Sequence, residues 1–595
     1  MPSIQDERRA TAEVAVGKRP ADLILAGGEL VDVHTGERRP ADIAVSGRRI
    51  ARVGDLDGLE GDQTEVIDVS GLVLVPGFID PHLHIGGSQL DICGLAEILV
   101  PAGTTAIATD FYEAGTIGGP RAVYELLDRS EGSGLKVLFS PFFACALGFG
   151  AWGDLGRLSV ADFAAMLDDA RTVELREWNY GISQIGITGL DAAYDKALER
   201  GITLSGHLEG LEGNVLQASV ALGVTNDHET VSAQGAIERA RLGVLVQIRE
   251  GSGAHDLRNV IGAITEHELE SGCFSLCTDE QELSSLVREG HVDHKLRMAT
   301  SLGVDPIDAV RMATLNAARS MGIDGELGSI VPGKIASVVA VEDLSEFTVR
   351  LVVSEGAVAA RDGSYALEPR VEAYPQEWKV TVNLDRSLTA DDFLLDASLA
   401  DAEVRVIGVT PGSLVTEELV ERVRFSEGRI ERPSADIAKI AMFDRHEGGK
   451  HGTVALVRGL AVERGAIATT INPGLMNLMV IGIDEADMAA AANSVVEMQG
   501  GICVVSRGEI AAKVSTPLFG ILSDAPAGEV AAACEEVATA ISETLGSPID
   551  GLVTQAGFAC LAVSIPNLKL ADRGLVRVGR DGSQEGVDLV VANAA

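Results

Sequence analysis

Between residues 71 and 279 the chain repeats one unit: an apolar, strand-like run followed by a stretch long enough to hold a helix. The runs fall at 71–80, 104–110, 136–144, 173–180, 202–207, 223–228, 243–249 and 272–279, with helix-like segments such as 160–174 and 190–200 between them. Alternating strands and helices of this length predict a parallel α/β fold, and eight units predict a distorted (β/α)₈ TIM barrel. Residues 20–70 instead alternate short apolar stretches with Gly-marked turns, as does 342–370, so the two flanks of the barrel are expected to pair as one β-sandwich. Residues 371–595 read as a further α/β block, with strands at 379–384, 404–409, 437–443 and 453–457 and Ala-rich helices at 484–498 and 526–545. The expected organisation is therefore 1–70 and 326–370 as sandwich halves, 71–325 as barrel and 371–595 as a C-terminal α/β domain.

Composition narrows the partners. Lys and Arg number 48 against 88 Asp and Glu, a formal charge of −40. So acidic a surface repels phosphate, which argues against nucleic acid and anionic membrane as partners. The seven Cys are scattered without a CxxC pair, which fits neither a disulfide framework nor a thiolate zinc site. No run is apolar enough to span a bilayer and the N-terminus has no signal-peptide core, so a cytoplasmic protein is expected.

The sharpest local signal is Pro76-Gly-Phe-Ile-Asp-Pro-His82-Leu-His84. Side chains alternate along a strand, so both imidazoles point the same way, half of a metal site at a barrel strand's end. His207, in Leu204-Ser-Gly-His207, follows the fifth run, His228-Glu229 the sixth, and Asp279 in Cys277-Thr-Asp279-Glu280 closes the eighth. Histidine and carboxylate without thiolate suit Mn²⁺, Fe²⁺ or Zn²⁺.

The order His-x-His, His, His, Asp resembles the amidohydrolase superfamily, and the wording is closer still to the adenine deaminase family. Gly206-His-Leu-Glu-Gly-Leu211, Asp227-His-Glu229, Arg249-Glu-Gly-Ser252, Gly290-His-Val-Asp-His294 and Arg311-Met-Ala-Thr-Leu-Asn-Ala-Ala-Arg319 resemble its motifs. Beyond the barrel, Met488–Gly501, Ile521-Leu-Ser-Asp524 and Leu568-Lys-Leu-Ala-Asp572 are similar to its C-terminal domain. The resemblance implies two divalent metals per chain. His82 and His84 would bind one, His207 and His228 the second, and Glu177, in Leu175-Arg-Glu177-Trp-Asn-Tyr-Gly, would bridge them. Asp279 would hold the first metal and take the proton of the attacking water. Glu229 is read either as the acid that protonates the ring or leaving amine, or as a partner that orients a neighbouring His. Tyr112, Glu113, Arg249 and Ser252 are the expected substrate-binding residues, Arg249 alternatively forming a structural ion pair. A homodimer or larger homo-oligomer is also implied.

Three segments depart from the family. Ile85-Gly86-Gly87-Ser88 stands where the family usually has Ile-Glu-Ser-Ser, Asp110-Phe111-Tyr112-Glu113 where it has Asp-Pro-His-Glu, and Pro473-Gly474-Leu475-Met476-Asn477 where it has His-Asp-Ser-His-Asn. The favoured activity is hydrolytic deamination of adenine or another aminated, purine-like heterocycle with release of ammonia. Opening of a cyclic amide on the same metals is the second reading, and a non-catalytic ligand-binding relative the third. His291 and His294 are expected as supporting or surface groups, Cys273 and Cys277 as core, and His446 and His451 with Arg445 either near the barrel mouth or on the surface.

Overall fold

The first apolar run supplies two strands, Val73–Pro76 and Phe78–Asp80, that enter different sheets on either side of Gly77. The computed structural model describes residues 3–142, 157–184, 188–368, 372–395, 401–431, 436–474, 476–562, 565–579 and 583–591. The barrel is built from β1 (Phe78–Asp80), β2 (Thr104–Thr109), β3 (Lys136–Phe139), β4 (Glu174–Trp178), β5 (Thr203–Gly206), β6 (Val224–Asp227), β7 (Leu245–Arg249) and β8 (Phe274–Cys277). Strands β1–β3 form one parallel arc and β4–β8 another.

Two seams close the ring. Val173 N donates to Phe139 O at 2.9 Å between β3 and β4, while Asp279 N donates to His82 O and His84 N to Asp279 O, both at 2.8 Å, between β8 and β1. The second seam is made by the residues expected to carry the chemistry. Strands covered on both faces need continuous apolar runs, and β2 is accordingly buried along its whole length.

The flanks pair as expected. A seven-stranded sheet joins Glu37–Pro40, Glu29–Asp32 and Val73–Pro76 to Val338–Val341, Val349–Ser354, Ala357–Arg361 and Ser364–Tyr365. It encloses Leu25, Ile43, Val45, Leu74, Val338 and Val353 against a four-stranded sheet made of residues 23–68.

The C-terminal part is a nine-stranded sheet running from Arg429–Glu431 at one edge to Glu509–Ser515 at the other. Helix Glu485–Glu497, capped by Asp484, lays Met488, Ala491, Ala492 and Val495 on it. One continuous core joins barrel residues Leu90 and Ile92 to Leu518, Ile521 and Val537. Backbone pairing reinforces the junction: Asp91 N donates to Ser523 O at 2.9 Å and Ser523 N to Gln89 O at 2.8 Å. The C-terminal loops are thereby fixed over the barrel mouth.

Several local expectations change. The helix expected over 160–174 is confined to Val160–Met166, after which a turn held by Asp169 Oδ1 and Arg171 N at 2.8 Å leads into β4. No strand forms at 379–384, because Gln499 satisfies Val382 on both sides, its Oε1 accepting from N and its Nε2 donating to O, each at 3.1 Å. Helices Pro306–Ala313 and Leu315–Ser320 meet at Thr314. Cys277 is buried and Cys273 half-buried against the core. Among the described residues no helix is long and apolar enough to cross a membrane.

The barrel interior below the mouth is more polar than aliphatic packing would make it. Glu174, fully buried on β4, accepts from Asn226 Nδ2 at 3.0 Å and Ser140 Oγ at 3.3 Å. Burial raises its pKa from 4.5 to about 7, against the charge of Arg176 and these hydrogen bonds. The folded chain thus keeps a proton that the unfolded chain loses between pH 4.5 and about 7, and stability falls with rising pH across that window. The loss is about 3 kcal/mol at 1.36 kcal/mol per unit. Glu174→Gln is expected to remove this component, so its thermal midpoint should fall less than the parent's between pH 5 and pH 8. Parallel falls would show that Glu174 is ionised throughout.

Candidate metal centre

His82 and His84 extend β1 past its last ladder residue, with Leu83 turned away into the core. Their Nε2 atoms lie 3.3 Å apart. Glu177 Oε1 approaches to 3.7 Å from His82 and 3.3 Å from His84, and Asp279 Oδ1 to 3.8 Å and 3.6 Å. His228 stacks on His82 with ring centroids 3.6 Å apart, and His207 meets His228 edge-on at 5.8 Å. All six side chains are buried, and the strands bring every predicted ligand to one mouth.

Two of these residues sit in the left-handed region of the backbone. Glu177 and Asp279 have φ of 61° and 68°, in the left-handed region that side chains other than Asn, Asp and Gly rarely adopt. Such conformations persist where surrounding structure imposes them, often at functional sites. Here Glu177 is next to last in β4 and Asp279 lies two residues past β8, and each carboxylate approaches the imidazoles of His82 and His84.

The donor set fits divalent cations. His82, His84 and Glu177 form one group of converging ligand atoms, and His82, His228 and Asp279 another. Burial holds the His82 pKa well below 6.5, assisted by Arg176 and His228, so its imidazole is neutral as a ligand must be. Burial opposes charge on His84 as well, but Asp110, whose Oδ2 lies 3.0 Å from Nδ1, and Glu177 raise its pKa well above 6.5. A carboxylate beside Nδ1 directs Nε2 toward a metal. Arg176, fully buried, backs this pair by donating to Ala108 O at 2.5 Å, with Asp110 Oδ2 at 3.5 Å.

Arg249 and Ser252 lie elsewhere than at a substrate-facing wall. The Arg249 side chain is fully buried, with Glu229 Oε1 at 2.5 Å, Asp279 Oδ2 at 3.1 Å and Asp256 Oδ2 at 2.8 Å. Ser252 Oγ lies 2.8 Å from Ser285 Oγ and accepts from Glu282 N at 2.9 Å. Neither borders the cleft. Glu229 does, but its Oε1 is held by Arg249 and lies 3.1 Å from His228 Nε2. Despite burial, Arg249, His207 and His228 keep its carboxyl well below the usual range, which suits an orienting anion rather than an acid.

Above the ligands opens a cleft of about 500 Å³ including its mouth. Tyr112 and Phe142 form one wall, their rings edge-to-face at 5.8 Å, while Leu414, Phe558, Leu561 and Ile565 from the C-terminal part close the other side. A second recess of about 300 Å³ adjoins it across Tyr112, Glu280 and Pro473. All three departing segments border these spaces. Tyr112, Pro473 and Gly474 line the cleft, and Gly86, Gly87, Glu113 and Met476 line the recess; Leu475 is outside the described residues. Glu280, its pKa raised to about 8 by burial and Asp279, faces both.

Supporting groups fall into place around this site. His291 is buried, its Nδ1 2.8 Å from Thr104 Oγ1 and its Nε2 2.9 Å from Asp80 Oδ2, while Asp80 Oδ1 accepts from His82 N at 3.1 Å. His294 is half-buried, and His451 is exposed. Arg445, fully buried, donates from Nε to Met476 O at 2.5 Å and from Nη2 to Phe519 O at 2.9 Å, holding the loop that lines the recess.

Residues 184–359 match the amidohydrolase family and residues 413–581 the adenine deaminase C-terminal domain. An adenine deaminase of Paracoccus denitrificans is 35% identical over 586 residues, covering 97% of each chain. The chain belongs to the adenine deaminase family. Family members from Cereibacter sphaeroides and Moorella thermoacetica are 36% and 33% identical, over 95% and 96% of this chain and 97% and 96% of theirs.

Proposed function

We propose that the chain hydrolyses the exocyclic C–N bond of adenine or a closely related aminated heterocycle, releasing ammonia. The observation that carries this reading is the convergence of five buried side chains, His82, His84, Glu177, His228 and Asp279, with His207 edge-on to His228, in a chain 35% identical to an adenine deaminase along its length. His82, His84 and Asp279 would hold one divalent cation and His207 and His228 a second, with Glu177 shared. Bound cations of this kind acidify water from a pKa of about 15.7 towards about 7.

Asp279 would take the water proton; its Oδ2 accepts from Arg249 at 3.1 Å. As the water oxygen bonds to the ring carbon, the amine nitrogen leaves with its bonding pair and is protonated to ammonia. Glu229, committed to Arg249, is poorly placed to supply that proton. Glu280 borders both spaces and supports the role better. Tyr112 and Phe142 offer an aromatic wall to a planar ring. The altered walls favour a site retuned among aminated heterocycles over one built for adenine alone.

The test is turnover of adenine by protein reconstituted separately with Mn²⁺, Fe²⁺ and Zn²⁺, with His82→Ala as control. Hypoxanthine and ammonia are expected in equal amounts, and neither from the variant. Cation-loaded protein that releases no ammonia from adenine or any other aminopurine would refute deamination and turn the search to cyclic amides.

A further inference from the structure

The apolar side of the cleft is built from two stretches of the C-terminal part, Leu414 in one and Phe558, Leu561 and Ile565 in the other. Leu414, Phe558 and Ile565 pack with Ala254 as a small cluster of their own, apart from the main core. Strand Leu568–Ala571 carries Lys569, which is fully buried. Its Nζ donates to Leu414 O at 3.3 Å and to Phe558 O at 2.8 Å. A buried amine is costly, and this one ties together the backbones of two residues that line the cleft. Burial takes its pKa from 10.5 down to about 7, and the ammonium and the neutral amine both offer the two N–H donors that these carbonyls require.

The surrounding contacts make the wall one unit. Helix Leu552–Phe558 is fastened at its start to the barrel, where the buried Glu282 accepts through Oε1 from Thr554 N at 2.9 Å and Thr554 Oγ1 at 3.0 Å. Gln555 on the same helix accepts from Gly412 N at 2.7 Å through Oε1 and donates to Ser413 O at 2.8 Å through Nε2. The Phe558 ring lies so close to Gly253 that a Cβ there would come within 2.3 Å of it. The helix is therefore held by the barrel at one end and by Lys569 at the other, and Lys569 joins its last residue to Leu414.

Resting on the deamination reading, we propose that Lys569 is a positioning residue for the substrate: it pins Leu414 and Phe558 at one spacing, so that the planar base is held between this wall and the rings of Tyr112 and Phe142. The wall touches the ring alike before and during reaction, so loosening it weakens binding uniformly, which raises KM and spares kcat. A loss of folded or metal-loaded enzyme has the opposite signature, a lower kcat at unchanged KM.

The test is Lys569→Met, which keeps the length of the side chain and removes its donors, in metal-loaded protein of measured metal content. Its KM for adenine should rise about tenfold or more, the scale of a lost apolar contact in a pocket, with kcat within about threefold and metal content unchanged. By hydrogen–deuterium exchange, backbone amides over 412–416 and helix Leu552–Phe558 should exchange about tenfold faster, while those of β8 keep the parent's rates. Leu414→Ala combined with Phe558→Ala, which leaves Lys569 in place, should raise KM as well. Lys569→Met should add less than about twofold in that background, since it acts through those two residues. A parent-like KM in the lysine variant or in the double variant, effects that add, or unchanged exchange over 412–416 would overturn the inference and leave deamination standing. A parent that neither binds adenine nor releases ammonia from it would overturn deamination, and the substrate role of Lys569 with it.

Discussion

Asp279→Asn is expected to lower kcat by about 10³- to 10⁴-fold while leaving the protein folded, the range for removing a positioned base together with a metal contact. Asp279 Oδ1 lies within 3.8 Å of both His82 and His84 Nε2, and Oδ2 takes the Arg249 guanidinium at 3.1 Å. Asparagine keeps the size but has one accepting oxygen where aspartate has two, and it has neither the charge nor the basicity to take a proton. It also tolerates the left-handed backbone at 279, which alanine would strain. Circular dichroism and the thermal midpoint should stay near the parent's. Retention of more than a tenth of parent kcat would remove Asp279 from the proton-transfer role.

Arg249→Leu should produce the largest loss of stability of any single change at the site, about 3–5 kcal/mol, the usual cost of breaking a buried ion pair from one side. The guanidinium is completely buried, and burial works against its charge, yet Glu229, Asp256 and Asp279 hold it well above its ordinary pKa. Removing it leaves three carboxylates facing one another without a cation. Lysine, a point charge lacking the planar fork, should recover only part of the loss. Chemical denaturation of the parent and both variants measures this. A leucine variant as stable as the parent would mean that the carboxylates are neutralised by protons or metal rather than by Arg249.

The barrel was legible because parallel strands buried on both faces must be written as apolar runs, and all eight strands fall within the expected ones. The His82–His84 pairing was legible for a related reason: strand periodicity alone places both rings on one side. The left-handed backbone at Glu177 and Asp279 was not, since neither is glycine and the conformation is imposed by the seams around them. Nor were the cleft walls. Leu414, Phe558 and Ile565 share the cleft with His84 only through tertiary packing of the C-terminal part on the barrel, to which no local pattern points. Arg249 was read as substrate-facing or structural on equal terms, and its three carboxylate partners, distributed over residues 229 to 279, decide for the ion pair.

Anomalous diffraction from crystals of the Mn²⁺-loaded protein, recorded with metal analysis of the same preparation, tests the central claim most directly. The account predicts two peaks per chain at the mouth of the barrel, one bonded to His82 and His84 and one to His207 and His228, with Glu177 reaching both. His82→Ala should lose the first peak. Peaks elsewhere, or a metal-loaded chain whose six residues remain uncoordinated, would contradict it.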